Sequence, residues 1–235
     1  MTDFEKLQNE LNKINSYPAE MQKIFAEIKG RAFFPGGRGT FQNDETVTNK
    51  SIMVLGQDFD TKTKYEAAKE NGEEDLEKNK TWNNLQKLLI ASNIKLDDCF
   101  FTNAIMGVRC LTEVATGKSP AFKSKSFVKD CQKFFLYQLE LQKPKVIIAL
   151  GLNVAKFLSD TSTDLIDWRN IPNFESVDNE NQQIKLNVKF NNDIVSNVAL
   201  LMHPSARKYN LDTRKYRDKF GIEAQAQILH DTIHN

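Results

Sequence analysis

Four short apolar runs, each followed at once by polar residues, constrain the fold of this chain more than any other feature. The runs lie at 51–55, 99–102, 145–150 and 198–202, and segments with helical spacing of apolar residues separate them. Buried strands that alternate with helices indicate a mainly parallel sheet covered on both faces. We therefore predict an α/β protein, a three-layer α/β/α sandwich around a central, mainly parallel four-stranded sheet.

The remaining periodic segments complete this prediction. Helices are expected where apolar residues recur with helical spacing. They are 3–15, 19–29, 82–92, 124–141, a helix that begins at 153–158 and a terminal helix from about Thr213. Alternating apolar residues at 184–190 predict an outer strand or hairpin. Because one α/β domain accommodates all 235 residues, we predict a single domain over 1–235, with 1–30 as an N-terminal helical extension packed on it.

Charge and cysteine content exclude several classes of protein. With 32 Lys and Arg against 31 Asp and Glu, the net charge of +1 carries no global sign of nucleic-acid binding. Cys99, Cys110 and Cys131 lack the spacing of a zinc or iron–sulfur site, and an odd number of unpaired cysteines is typical of a reducing compartment. No apolar run approaches the length of a membrane span. We expect a monomeric cytoplasmic protein without a metal or membrane contact.

A basic cluster near the C-terminus has two interpretations. It is a solvated helix face, or it is a local edge that binds phosphates on an otherwise neutral protein. Its members are Arg207, Lys208, Arg214, Lys215, Arg217 and Lys219.

Polar side chains with chemical uses follow the four strands. Asp58 comes after the first, Asn103 follows the second, Asn153 follows the third and His203 follows the fourth. Ligand sites of parallel sheets lie beyond the carboxyl ends of the strands. The sequence therefore predicts that these side chains meet at one edge of the sheet.

Each of these residues has a structural and a chemical interpretation. Asp58 either caps a turn or orients a water molecule and stabilises a developing cation. His203 is either a satisfied, partly buried side chain or a hydrogen-bond donor on a loop made rigid by Pro204. Asn103 is either a turn residue or a reader of a nucleobase edge. Together they favour bond cleavage at an electron-poor carbon, with negative charge leaving toward His203.

Two of these segments resemble the signature motifs of the uracil-DNA glycosylase superfamily. They are 56–58, Gly-Gln-Asp, and 203–205, His-Pro-Ser. Supporting matches occur in the family's order and extend the resemblance over roughly 30–230. They are 33–35, 81–85, 102–104 and 146–151.

The resemblance implies an enzyme that flips a base out of DNA and hydrolyses its N-glycosidic bond without a metal or cofactor. It assigns Asp58 to the attacking water and the oxocarbenium-like transition state. His203 then hydrogen-bonds the departing base, Asn103 reads the pyrimidine edge, and the Gln57 backbone contributes to the base pocket.

The resemblance also implies a set of contacts to DNA. Ser205 and the loop with Gly36 and Gly37 are expected to hold phosphates. Arg207 lies where the family inserts a wedge into the space of the flipped base, and Lys208 adds a cation beside it.

The chain departs from the family within the expected base pocket. Where the best-known members follow the first motif with Pro, Tyr and His, this chain has Phe59, Asp60 and Thr61. The family's Tyr blocks the methyl group of thymine, so Asp60 removes the usual basis of uracil selectivity. The usual stacking aromatic is also missing, and Phe59 or Trp82 is its possible substitute.

We therefore predict a DNA glycosylase that removes uracil or another modified base. The alternative is a protein on the same fold that binds a nucleobase or nucleic acid with lost or altered catalysis. A hydrolase of free nucleosides is a third interpretation, which the basic C-terminal cluster disfavours.

Overall fold

The four apolar runs form the parallel strands of one five-stranded sheet in a computed structural model, which describes residues 1–24, 50–70, 79–110 and 117–235. The strands of the described residues are β1 (Met21–Lys23), β2 (Ile52–Gly56), β3 (Cys99–Asn103), β4 (Gly107–Arg109), β5 (Val146–Leu150), β6 (Ile184–Lys189), β7 (Val195–Leu201), β8 (Lys215–Tyr216) and β9 (Lys219–Phe220). The helices are α1 (Asp3–Leu11), α2 (Lys62–Glu70), α3 (Lys80–Ala91), α4 (Lys125–Gln142), α5 (Leu152–Leu158), α6 (Phe174–Asn179), α7 (Lys208–Asp212) and α8 (Gly221–His234).

The central sheet has the strand order β3-β2-β5-β7-β6. The first four strands are parallel, and β6 is an antiparallel edge strand hydrogen-bonded to β7. The mainly parallel sheet is therefore confirmed. It has one strand more than predicted, because the segment expected as an outer strand or hairpin joins it. Every residue of β2, β3 and β5 is buried, as expected for strands covered on both faces.

Alternate residues of the strands contribute to two separate hydrophobic cores, one on each face of the sheet. Met53 and Leu55 of β2 belong to the core that α4 helps to cover, whereas Ile52 and Val54 belong to the core with Trp82 of α3. The two-residue period of a strand produces this division. The predicted three-layer α/β/α arrangement is confirmed.

The predicted helices vary in how well they match. The helices expected at 82–92 and 124–141 are α3 and α4, and the side chain of Ser124 caps α4 by accepting the N–H of Phe127. The terminal helix expected from about Thr213 begins only at Gly221. The hairpin of β8 and β9 occupies the intervening chain, and Arg217 makes its turn with a φ of 54°.

The N-terminal segment is only partly helical. The first predicted helix, 3–15, is shorter and corresponds to α1, which Thr2 and Glu5 cap reciprocally and which packs against α4. The second, 19–29, is wrong over Met21–Lys23, since these residues form β1 and pair with β4. This pairing uses backbone groups of β4 and buries Met21. Residues 19, 20 and 24 are not helical either, residues 25–29 lie outside the described residues, and the 1–235 domain boundary stays a prediction.

Candidate active site at the carboxyl edge of the sheet

Three predicted site residues lie at the same edge of the sheet. Asn103 is the last residue of β3, and its register partner is Gly56, the last residue of β2. Asp58 follows Gly56 by two residues, and His203 follows β7 by two residues. Asp58 also acts electrostatically on His203, where it opposes the lowering of the pKa by burial. The parallel register thus brings Asp58, Asn103 and His203 together, as the sequence predicted.

Asp58 forms a buried ion pair that the sequence analysis missed. The Arg109 Nε atom lies 2.7 Å from Asp58 Oδ2, and the side chains are only 4% and 6% exposed, respectively. Arg109 Nη2 donates to the carbonyl of Gly117 at 3.0 Å. The sequence does show a cation, Arg109, directly after the apolar segment that follows Asn103, but it does not show the partner of this cation.

The side chain of Gln57 connects two loops of the site. Its Nε2 donates to the carbonyl of Gly117 at 3.1 Å, and its Oε1 accepts from Asn153 Nδ2 at 2.5 Å. Its backbone carbonyl accepts the N–H of Ile105 at 2.9 Å. Gln57 therefore joins the exit of β2 to the segment after β3 and to α5, and Asn153 is a further site residue at the third strand end.

Gly151 brings α5 close to His203. Its φ of 99° favours glycine, and a Cβ placed there would lie 3.6 Å from the Cβ of His203, which is ordinary contact. The backbone conformation, rather than lack of space, therefore explains glycine at this position. The N–H of Gly151 donates to the carbonyl of Leu201 at 2.8 Å, which fixes the ends of β5 and β7 relative to each other.

Hydrogen bonds to Nδ1 orient the imidazole of His203. The backbone N–H of Ser205 donates to Nδ1 at 3.2 Å, and Ser205 Oγ lies 2.7 Å from the same atom. A backbone N–H can only donate, so Nδ1 is an acceptor and the neutral ring carries its proton on Nε2. The loop itself is held by Asn84, whose Nδ2 donates to the carbonyl of Pro204 at 2.8 Å.

The electrostatic environment keeps His203 neutral. Burial lowers the pKa of the imidazole below its ordinary value, because a charged ring is poorly solvated there. Asp58 and Asp60 oppose this shift, and Arg109 reinforces it. The ring therefore offers an N–H donor without a positive charge.

The two residues after Asp58 have different environments. Phe59 is half-buried and packs against the larger core. Asp60 adopts a φ of 63°, and its Oδ2 lies 2.6 Å from Lys64 Nζ. Its Oδ1 is buried without a hydrogen-bond partner among the described residues. The base-binding roles of Phe59 and Asp60 stay predictions.

The basic C-terminal cluster does not form one continuous surface. Arg207 and Lys208 are exposed where α7 begins, directly after the His203 loop. Arg214 is buried and paired with Asp178, and Arg217 pairs with Asp231 at 2.6 Å. The prediction that Arg214 belongs to a phosphate-binding edge is therefore wrong. The predicted phosphate ligands Gly36 and Gly37 lie outside the described residues.

Neither a membrane span nor a cluster of metal ligands occurs in the described part of the chain. No helix there is long and apolar enough to cross a bilayer. No three side chains of His, Cys, Asp or Glu in the same ranges are arranged to hold a metal ion.

Residues 44–224 match the model of the uracil DNA glycosylase superfamily, and the chain belongs to this family. The match covers most of the chain and includes every candidate site residue that the structure describes. Proteins of this superfamily act on DNA, and the family implies a glycosylase in general terms. A search of the curated proteins found no match to this chain.

Proposed function

We propose that this protein is a DNA glycosylase that flips uracil or another modified base out of DNA and hydrolyses its N-glycosidic bond. The observation that carries the proposal is the placement of a carboxylate and a neutral imidazole, Asp58 and His203, at the same edge of the sheet, where the carboxylate acts electrostatically on the imidazole. Membership of the superfamily supports the same chemistry.

The two groups have complementary roles in this reaction. Asp58 orients a water molecule toward the anomeric carbon and stabilises positive charge on the sugar as the C–N bond breaks. The bonding electron pair leaves with the base. His203 then donates its Nε2–H to the base oxygen that gains negative charge. The water oxygen bonds to the anomeric carbon, and its proton leaves through Asp58.

The base is recognised at the same edge of the sheet. Asn103 is almost fully buried and carries both a donor and an acceptor, as pairing with a nucleobase edge requires. Asp60 stands beside this region with a buried carboxylate oxygen, Oδ1, which is an acceptor for a base N–H. A carboxylate at this position offers a different selectivity from an aromatic ring, so the excised base need not be uracil.

Exposed cations beside the site support DNA as the partner. A depression of about 350 Å³ lies next to Asn153 and includes the cationic side chains of Lys118, Lys156 and Arg169. Arg207 and Lys208 lie on the other loop, after His203. Phosphate contacts of this kind position a nucleic acid without reading its sequence. A monomeric state and a cytoplasmic location stay predictions.

The test is base release from labelled oligonucleotides that contain uracil, thymine, hypoxanthine or only normal bases, with Asp58→Asn as the matched control. Release of one base that disappears in the variant establishes a glycosylase and identifies its substrate. No release of any base, together with salt-sensitive DNA binding, would favour the interpretation as a binding protein on the same fold. Cleavage of a free nucleoside with no salt dependence would favour the nucleoside hydrolase.

A further inference from the structure

The structure assigns to Arg109 the role of a positioning residue that fixes the carboxylate of Asp58 for the attacking water. This inference rests on the proposed function, because it concerns the residue that orients the water. It is based on the ion pair between Arg109 Nε and Asp58 Oδ2, at 2.7 Å and almost fully buried on both sides.

Because this ion pair is buried, its strength depends on the geometry of the two charged groups. An exposed pair contributes little, because water competes for both charges, but a buried charge depends on its partner and on good geometry. The guanidinium is planar and presents its N–H groups in fixed directions, so contacts at two of its nitrogens fix its plane. Here Nε binds Asp58 and Nη2 binds the carbonyl of Gly117.

The backbone of Arg109 adds a second link to the same loop. Its N–H donates to the carbonyl of Asp60 at 3.0 Å, two residues after Asp58. The backbone of Arg109 therefore binds Asp60 while its side chain binds Asp58, so that both ends of the segment 58–60 are held. The Gly117 carbonyl also accepts from Gln57 Nε2, so the residue before Asp58 belongs to the same network.

This geometry divides the two carboxylate oxygens of Asp58. Arg109 binds Oδ2, which leaves Oδ1 as the oxygen that orients the water. A displacement of about 1 Å in a catalytic group lowers a rate by about 100-fold. Without Arg109, the carboxylate can rotate or pair with another cation, and the water is no longer held in line with the anomeric carbon.

The test is a double-mutant cycle in single-turnover base release, with Arg109→Gln, Asp58→Asn and both together. We expect Arg109→Gln to lower the chemical rate by about 100-fold with little change in DNA affinity. In the Asp58→Asn background, the same substitution is expected to change the residual rate by less than about 3-fold, because the group that it positions is already gone. Equal losses in both backgrounds would show a merely structural role and overturn the inference.

Two further variants separate positioning from folding. Arg109→Lys keeps the positive charge but lacks the planar guanidinium with its fixed N–H directions. We therefore expect partial rescue, to within about 10-fold of the wild-type rate. Lys189→Gln changes the cation of an exposed ion pair, with Asp193, that lies outside the site, and it should leave the chemical rate unchanged. Thermal melts and circular dichroism establish the folded fraction of each variant, and rates are compared per folded molecule.

The failure of this inference is distinct from failure of the proposed function. A wild-type protein that releases no base from any oligonucleotide overturns both. An active wild-type protein that Asp58→Asn inactivates, but that Arg109→Gln leaves at full rate or makes faster, overturns only the role of Arg109.

Discussion

Two buried aspartate–arginine pairs of this protein have the same chemistry and different surroundings. In the pair of Asp178 and Arg214, Nε and Nη2 of the arginine approach the carboxylate at 2.9 to 3.1 Å. The carboxylate also accepts the N–H of Lys215 at 2.9 Å, and the guanidinium lies 4.4 Å from the ring centroid of Phe174. Both oxygens of Asp178 are therefore occupied by the protein itself.

In the pair of Asp58 and Arg109, fewer protein groups bind the carboxylate. Arg109 binds one carboxylate oxygen of Asp58, and Asp58 also acts electrostatically on the imidazole of His203. The comparison shows that burial of an ion pair does not by itself indicate function. A carboxylate whose oxygens are all bound by protein groups stabilises a fold, whereas one with an oxygen directed to a site can act on a substrate.

Exchanging each acid for its amide gives the largest expected difference between the two pairs. We expect Asp58→Asn to lower base release by about 1000-fold or more while DNA affinity stays within a few-fold, because the amide cannot accept a proton from water. Asp178→Asn should keep the rate per folded molecule. Single-turnover release and equilibrium binding to the same oligonucleotide measure both quantities, and equal activity of Asp58→Asn would remove this residue from the mechanism.

Removing the second arginine tests the structural half of the comparison. Arg214→Met leaves the carboxylate of Asp178 buried without its cation, and we expect a loss of about 3 kcal/mol in the free energy of unfolding. Urea denaturation measures it. The double variant with Asp178→Asn should recover part of this loss, because it also removes the unpaired charge. A loss below about 0.5 kcal/mol in the single variant would show that this pair contributes little.

A smaller effect is expected from an exposed arginine next to the site. Arg207→Ala should weaken binding to duplex DNA by about 10-fold and binding to a single strand by less, since a wedge acts only where a base stack must be opened. Titration of matched single- and double-stranded oligonucleotides at one salt concentration measures the difference. Equal weakening of both would leave Arg207 as a phosphate contact.

The smallest expected effect is that of pH on the chemical step near the ordinary pKa of histidine, 6.5. Because burial lowers the pKa of His203, the ring stays neutral as the pH falls to this value. Base release should therefore change by less than about 2-fold between about pH 8 and pH 6.5. A rate that rises as the pH falls through 6.5 would show that the active ring is protonated.

The same shift in pKa has a consequence for stability. The unfolded chain binds a proton at His203 before the folded protein does, so this residue makes the fold less stable as the pH falls through 6.5 and toward the lower folded-state pKa. His203→Gln should therefore give a shallower fall in the free energy of unfolding over this range, measured by urea denaturation at a series of pH values.

Local sequence patterns were sufficient to predict the sheet and to place the candidate site residues at one edge of it. Apolar runs of strand length predict β2, β3, β5 and β7, because a strand covered on both faces must be apolar throughout. A parallel sheet aligns the carboxyl ends of its strands, so residues placed after those runs had to meet. Asp58, Asn103 and His203 follow from this rule, and the motifs around two of them identified the family.

Only the tertiary structure decided which side chains are partners. Asp58 and Arg109 are 51 residues apart in the sequence, and Asp178 and Arg214 are 36 apart. The six cations of the C-terminal cluster are close together in the sequence, but sequence order does not show which way each side chain points. A strand or helix period fixes the face of a nearby residue, whereas an ion pair between residues far apart in the sequence depends on the path of the chain through the whole fold. The sequence by itself therefore determined the sheet, the family and the edge at which the candidate site residues meet. The fold decided that Arg109 binds Asp58 and that Arg214 is buried in an ion pair with Asp178.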